Sequence, residues 1–178
     1  NSRSNSGSVY IILDSIISAL GSGQNSIDLS DNTNYSIRLD GAEASTFFGY
    51  TIKLLDIDHD TMLDLVVSAP FASNNGRGQS GSIYVIKDSI LRSHSSGYGD
   101  NVDLGVSSNY SFRIDGAETS TQLGYQSFSV GDINGNGKND LLLGAPYVQY
   151  HGDEFVGGVY LVSDSILDLY TSTGQNID

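Results

Sequence analysis

The sequence repeats itself, and that repeat restricts the fold more than any other property. Tyr35-Ser36-Ile37-Arg38-Leu39-Asp40-Gly41-Ala42-Glu43 returns 75 residues later as Tyr110-Ser111-Phe112-Arg113-Ile114-Asp115-Gly116-Ala117-Glu118, and Phe48-Gly49-Tyr50 returns as Leu123-Gly124-Tyr125. Asp64-Leu65-Val66-Val67-Ser68-Ala69-Pro70 returns 76 residues on as Asp140-Leu141-Leu142-Leu143-Gly144-Ala145-Pro146. A third segment occurs three times, as Gly7-Ser8-Val9-Tyr10, Gly81-Ser82-Ile83-Tyr84 and Gly157-Gly158-Val159-Tyr160, each followed by Asp-Ser-Ile at 14, 88 and 164. The array is about two and a half units long: a partial unit over 1–34, a complete repeat over 35–109 and a second, incomplete repeat over 110–178.

Each unit reads as four strands. Tyr35, Ile37 and Leu39 alternate with Ser36 and Arg38, the period of a half-buried strand, and an Asp-Gly turn ends the run, which suits the edge of a sheet. A strand from Gly49 towards Leu55 follows, then two short runs, Leu65 to Val67 and Ile83 to Ile86, that are apolar on both faces. Such runs belong to sheets covered on both sides, and their β-branched and aromatic residues favour strand over buried helix. Helix is predicted only briefly, after an N-cap Asp at 14, 88 and 164. A four-stranded unit that covers its faces with copies of itself is a β-propeller blade, so the fold class is all-β, a partial propeller of antiparallel four-stranded sheets. A plain two-sheet sandwich is the alternative, and the repeat argues against it.

The Phe-Gly of 48 and 49, the acidic loop that follows and the Gly-Ala-Pro of 144 to 146 resemble the FG-GAP repeats of integrin α-chain propellers and of bacterial and archaeal surface proteins. The resemblance covers nearly the whole chain. It departs at Ser68, which stands where the motif has Gly, and at Leu123, which stands where it has Phe.

Two loops carry the candidate chemistry. Asp56, Asp58, Asp60 and Asp64 place carboxylates at positions 1, 3, 5 and 9 of one loop, and Asp132, Asn134, Asn136 and Asp140 repeat the spacing with two amides. Oxygen donors at alternate positions of a tight loop converge on one point, as a hard cation with six to eight oxygen ligands requires. Calcium fits this donor set better than magnesium or zinc, so two Ca2+ sites are expected. The helical calcium hand needs Glu at position 12, where Val67 and Leu143 stand, so the motif is a different one. The resemblance further implies that the backbone carbonyls of Met62 and Lys138 complete the shell. His59, at an even position, should point away from the ion. Position 6, Thr61 in the first loop and Gly137 in the second, is expected to require positive φ. Four carboxylates against two predict tighter binding at the first loop. The bland alternative is a pair of polar turns held by Asx hydrogen bonds.

A net charge of −13, from 21 acidic and eight basic residues, disfavours nucleic acid or an anionic membrane as partner and suits cation binding. No apolar run approaches the roughly 18 residues of a membrane span. Cysteine is absent, so no disulfide or thiolate site exists. Most acids recur at matched positions or lie in the two loops; Asp31, Asp100, Asp153, Glu154 and Asp168 do not. That leaves little asymmetry for a catalytic site, and no partner can be placed beside His94 or His151, so the chain reads as a non-enzyme. Arg38, Arg113, Glu43 and Glu118 match across the repeat and read as structural ion pairs, while Arg77 carries no assigned meaning. Asn34 and Asn109 head matching glycosylation sequons, with Asn simply favouring the turn as the alternative. The loops opposite the acidic ones, Phe71 to Ser80 and Tyr147 to Val156, differ most between units, and Tyr147, Tyr150, His151 and Phe155 are candidates for a partner surface.

The function expected from these readings is a calcium-binding, integrin-like propeller segment of an extracellular or surface protein, acting in cell adhesion or protein interaction with a protein or glycan partner. The alternative is a structural repeat of a fibre or sheath in which the chain binds copies of itself. A propeller enzyme is a third class. The start without Met, on the polar stretch Asn1 to Gly7, predicts a piece of a longer polypeptide; three copies closing a ring of about seven blades is the other possibility.

Overall fold

The structure is a computed structural model that describes residues 3–23, 25–126, 128–153 and 155–178. Asn1 and Glu154, named above, lie outside the described residues. In chain order the elements are β1 (Ser8–Ile11), α1 (Asp14–Ser18), β2 (Ile37–Asp40), β3 (Ile52–Leu55), β4 (Asp64–Ala69), β5 (Ser82–Ile86), α2 (Asp88–His94), β6 (Asp100–Asp103), β7 (Phe112–Asp115), β8 (Phe128–Gly131), β9 (Asp140–Ala145), β10 (Gly158–Val162) and α3 (Asp164–Thr173). They form three sheets, β1-β2-β6, β3-β4-β5-β7 and β8-β9-β10. The architecture is all-β, built of partial propeller blades.

Every residue of β4 and β5 is buried, as runs apolar on both faces require. One face of that central sheet meets the first sheet, where Val67, Tyr84 and Ile86 pack with Val9, Ile37, Leu39 and Val102. The other meets the third sheet, where Val66, Ile83, Val85 and Phe112 pack with Phe128, Leu141 and Leu143. At roughly 1.5–3 kcal/mol per large apolar side chain, these two interfaces supply most of the driving force for stacking.

The two departures from the FG-GAP pattern have local reasons. Ser68 is fully buried, but its Oγ accepts a hydrogen bond from the Thr51 N–H at 3.0 Å, so the hydroxyl is satisfied where glycine would have none. Leu123 fills the inner core where Phe48 instead meets the Tyr84 ring edge-on at 5.6 Å. The glycine of the motif cannot be exchanged so readily. Gly124 has φ +76°, and a Cβ there would lie 2.5 Å from Ile83 Cδ1 and 2.8 Å from Ser68 Cβ.

Several expectations need correction. The strand anticipated from Gly49 begins at Ile52, because Gly49 has φ +94° and both Gly49 and Tyr50 donate their N–H to the Ser68 carbonyl in a turn. The three helices start where expected, but Asp14, Asp88 and Asp164 are their first residues and the caps are Leu13, Lys87 and Ser163, which make no side-chain capping bond. Asp88 and Asp164 are drawn into the first turn because their own N–H groups donate to Asp64 and Asp140 at 2.8 Å. The Tyr35 segment was assigned to a sheet edge. Its counterpart β7 is the last strand of its sheet, pairing β5 antiparallel, but β2 lies between β1 and a further strand, β6, which runs parallel to it. Ile177 makes the equivalent parallel bridge to Ile114. Each sheet with an outer strand therefore takes that strand from the next sequence unit and receives a strap from beyond the helix.

The matched ion pairs also differ from expectation. Arg38 and Arg113 pair with Asp40 and Asp115 on their own strands, at 2.7 and 2.6 Å, while Glu43 and Glu118 stay exposed. Two residues along a strand lie on the same face, which places the guanidinium and carboxylate side by side. Arg77 pairs with Asp178, and Arg3, in the equivalent place, donates to Asp103 Oδ2 at 3.0 Å.

Candidate metal centre

The two acidic loops occupy the turns β3–β4 and β8–β9, on the same end of neighbouring sheets. In the first, Asp56 opens the turn by accepting the N–H groups of Asp60 at 3.0 Å and Thr61 at 2.9 Å. Asp64 closes it: Oδ2 accepts from the Ile57 N–H and Oδ1 from the Asp88 N–H, both at 2.8 Å. The loop bends through left-handed conformations at His59 (φ 62°) and Thr61 (φ 74°), where the second loop has Gly135 (φ 77°) and Gly137 (φ 85°). Position 6 thus has the positive φ expected of it, and position 4 shares it.

Asp56, Asp58 and Asp64 each offer a carboxylate oxygen within 4.8 Å of the others. Asp60 stays outside this group, exposed and accepting the Met62 N–H at 2.8 Å. Asp58 Oδ1 is buried without a hydrogen-bond partner, while its Oδ2 lies 3.3 Å from the Lys87 ammonium. Burial pushes the Asp64 carboxyl above its ordinary range, with Asp58 and Asp88 adding to the effect, although the Asp88 and Ile57 amides oppose it. Acceptor-only groups crowded in this way, one with an oxygen left over, are suited to a divalent cation with oxygen ligands.

The second loop is built on the same backbone. Asp132 accepts N–H groups from Gly135, Asn136 and Gly137 at 2.7 to 3.0 Å, and Asp140 accepts from Ile133 and Asp164. Asn134 and Asn136 accept the N–H groups of Asn136 and Lys138. Their side-chain amides donate to Asp164 Oδ1 at 3.1 and 3.0 Å. Lys138 Nζ donates to Asp168 Oδ2 at 2.7 Å, and His59 Nε2 of the first loop lies 3.7 Å from the other oxygen of the same carboxylate. His59 accordingly faces α3.

Asp88, Asp164 and Asp168 were not assigned to these loops from sequence. Their signal for Asp88 and Asp164 was the threefold Asp-Ser-Ile, which reads as a helix start but also delivers an acid to each loop. Asp168 carries no repeat signal. His94, for which no partner was placed, has Asp100 Oδ2 at 2.8 Å from its Nδ1, because β6 brings that residue back beside the end of α2.

The other candidates are dispersed. Tyr147 meets Phe155 edge-on at 5.8 Å and Tyr125 at 6.1 Å, while Tyr150 and His151 meet at 4.2 Å in a hairpin closed by a Tyr150–Asp153 bridge. Tyr150 and Phe155 are 66% and 61% exposed, the exposure a contact surface requires. Phe71, Tyr50 and Phe47 continue the aromatic row across the neighbouring sheet. Asn34 and Asn109 close matching 3-10 turns, half-buried, and their amides donate to the Asp28 and Asp103 carbonyls at 2.8 and 2.9 Å. Among the described residues, no helix is long and apolar enough to cross a membrane.

Comparison with known proteins agrees with this geometry. The FG-GAP repeat family matches at residues 48–86 and 124–162, the first opening on Phe48-Gly49 and the second on Gly124, and each spans the acidic loop and the strands on either side. The chain is similar to integrin alpha-3 of Cricetulus griseus, 28% identical over 127 residues, covering 71% of this chain and 10% of that protein. It is also similar to integrin alpha-PS5 of Drosophila melanogaster, 32% identical over 138 residues, covering 78% and 12%. A phosphatidylinositol-glycan-specific phospholipase D of Dictyostelium discoideum is 25% identical over 143 residues, covering 80% and 14%. The chain thus spans about a tenth of the length of the integrin chains it matches. It carries two FG-GAP repeats of the integrin-like type.

Proposed function

We propose that this chain is a calcium-stabilised propeller segment of an extracellular or surface protein that works in adhesion or protein interaction. The observation that carries the reading is the convergence of Asp56, Asp58 and Asp64 at a turn whose geometry the second repeat reproduces. Asp56, Asp58 and Asp64 would hold the ion in the first loop, with Asp60 and the Met62 carbonyl as further donors. Asp132, Asn134, Asn136, Asp140 and the Lys138 carbonyl form the weaker second site. A bound calcium ion neutralises the clustered carboxylates and ties the β3–β4 turn to its sheet. The ion's role is structural, and recognition falls to the other end of the sheets, where Tyr147, Tyr150, His151 and Phe155 present their rings to a protein or glycan. Glycans at Asn34 and Asn109 belong to the same extracellular reading. Melting the protein in calcium and again in a chelator tests it: a bound ion must raise the melting temperature, and identical melts would remove calcium from the account.

A second reading, a self-assembling structural repeat, is favoured by one observation. On β10, Val159 and Leu161 are 67% and 50% exposed, whereas their counterparts Ile83 and Val85 on β5 are fully buried beneath the next unit. Sedimentation of the isolated chain separates the two: concentration-dependent polymers without any added partner support assembly, and a monomer at all concentrations excludes it.

A further inference from the structure

The two loops share a backbone but differ in how their charges are satisfied, and the difference centres on a residue outside both. Asp88 and Asp164 are equivalent first residues of α2 and α3, each donating its N–H to the last acid of its loop. In the second loop Asp164 Oδ1 accepts both the Asn134 and Asn136 amides, so positions 3 and 5 are bonded directly to the helix. In the first loop those positions are Asp58 and Asp60, which when ionised can only accept. The Asp88 side chain is 6% exposed; its Oδ2 is ion-paired with Arg92, and its Oδ1 is buried with no hydrogen-bond partner. Arg92 Nη2 lies 2.6 Å from Asp88 Oδ2, but Arg92 is itself 57% exposed, and Lys87 reaches only the Oδ2 of Asp58. Asp88 Oδ1 and Asp58 Oδ1 are thus buried acceptors with no donor, on two carboxylates that are each ion-paired through the other oxygen and that both act on Asp64.

We infer that the two loops are stabilised by different means: the first by a cation that Asp88 helps to hold, the second by the Asn134 and Asn136 amides, which take the cation's place. The inference rests on the calcium reading of the first loop and goes beyond it in two respects. It adds Asp88, contributed by a helix outside the loop, to the groups acting on the ion. It also makes the second loop complete without an ion, so that calcium concentrations filling the first leave the second empty. Replacing two acids by two amides has changed the loop from acceptor-only to self-satisfied while leaving its turn unaltered.

Calorimetric titration of the chelator-stripped full chain with calcium chloride, joined to melting curves, tests this. The wild type should bind one ion per chain. The variant N134D/N136D loses both amide bonds to Asp164, recreates the first loop's charges, and should bind two. Asp88→Asn removes one charge from the cluster and sets an amide at the position from which Asp164 meets Asn134 and Asn136 in the second loop. It should weaken calcium binding at least tenfold while raising the melting temperature of the calcium-free protein. Two ions bound by the wild type with affinities within tenfold of each other would overturn the inference and leave the calcium reading intact. Unchanged affinity in Asp88→Asn would remove Asp88 from the site. No binding in any variant would overturn the calcium reading itself.

Discussion

Removing the Arg113 side chain should destabilise the protein far more than removing its repeat counterpart Arg38. Both arginines make one constellation. Each lies over a tyrosine on the adjoining strand at 5.7 Å, and each pairs with an aspartate that also accepts a serine hydroxyl, Ser8 to Asp40 at 2.6 Å and Ser82 to Asp115 at 2.7 Å. They differ in surroundings. The Arg113 and Asp115 side chains are 14% and 0% exposed and joined by two bonds of 2.6 and 2.8 Å; Arg38 is 35% exposed and makes one. Arg113→Ala leaves the Asp115 carboxylate buried with only Ser82 and Asn75 as donors, and loss of one member of a buried pair costs about 3–5 kcal/mol. Arg38→Ala also leaves a buried carboxylate, Asp40 at 9% exposed, but the lost guanidinium is 35% exposed and made one bond, so water can take its place and the cost should be about 1 kcal/mol. At about 2–4 °C per kcal/mol for a chain of this size, the melting temperatures should fall by about 10 °C and about 3 °C. Thermal and urea unfolding followed by circular dichroism, at fixed calcium, measures both. The double variant R113M/D115N, which removes the stranded charge, should recover most of the loss. Equal losses at the two arginines, or a double variant as unstable as Arg113→Ala, would refute the argument that burial decides the cost.

Three further outcomes follow from the structure. Chelating calcium should lower the melting temperature by about 5 to 10 °C when the ion was held at about a hundred times its dissociation constant, a stabilisation of about 2.7 kcal/mol, read by differential scanning calorimetry. Burial pushes the Tyr84 hydroxyl up to about 12, against the lowering effect of Arg113. Its folded value therefore exceeds its unfolded one, the stability it confers is complete below pH 10, and about 2.7 kcal/mol is lost as pH rises through 12; Tyr84→Phe should flatten urea midpoints across that window. Gly124→Ala should cost about 3 kcal/mol, since its Cβ would meet Ile83 and Ser68, whereas Gly135→Ala, equally left-handed but with nothing within 4 Å, should cost about 1 kcal/mol in the same urea assay.

What was legible in the sequence was what recurs with a period. The alternation of Tyr35, Ile37 and Leu39, the unbroken apolar runs of β4 and β5, and the spacing of the acids each carry a local rule, and each appears as a strand or loop in its expected place. β6 escaped because Asp100-Asn101-Val102-Asp103 offers one apolar residue and no alternation; its strand character comes from β2, with which it pairs across a long stretch of chain. Its trace was a recurrence too faint to weigh alone, Asn-Val-Asp at 101 and Asn-Ile-Asp at 176. The arginine partners are equally hard to read from the repeat, because Asp40 and Glu43, like Asp115 and Glu118, both recur with their arginine, and only the strand geometry that sets residues two apart on one face selects the Asp. In the loops, ligand-type residues were visible, but the acids of α2 and α3 reach them only after β5 and β10 have brought the helices back.

The strap also sets a timetable for synthesis. Asp100 follows its partner Ile37 by 63 residues, and Ile177 follows Ile114 by the same interval. At about 5–20 residues per second, a ribosome exposes the outer strands β2 and β7 for about 3 to 13 seconds before their covers are made. During that interval the bare strand is a template for any other extended chain nearby. The polar composition of the strap's target, with arginine and aspartate on one face of each outer strand, is what a nascent edge needs to remain unpaired until the correct segment emerges.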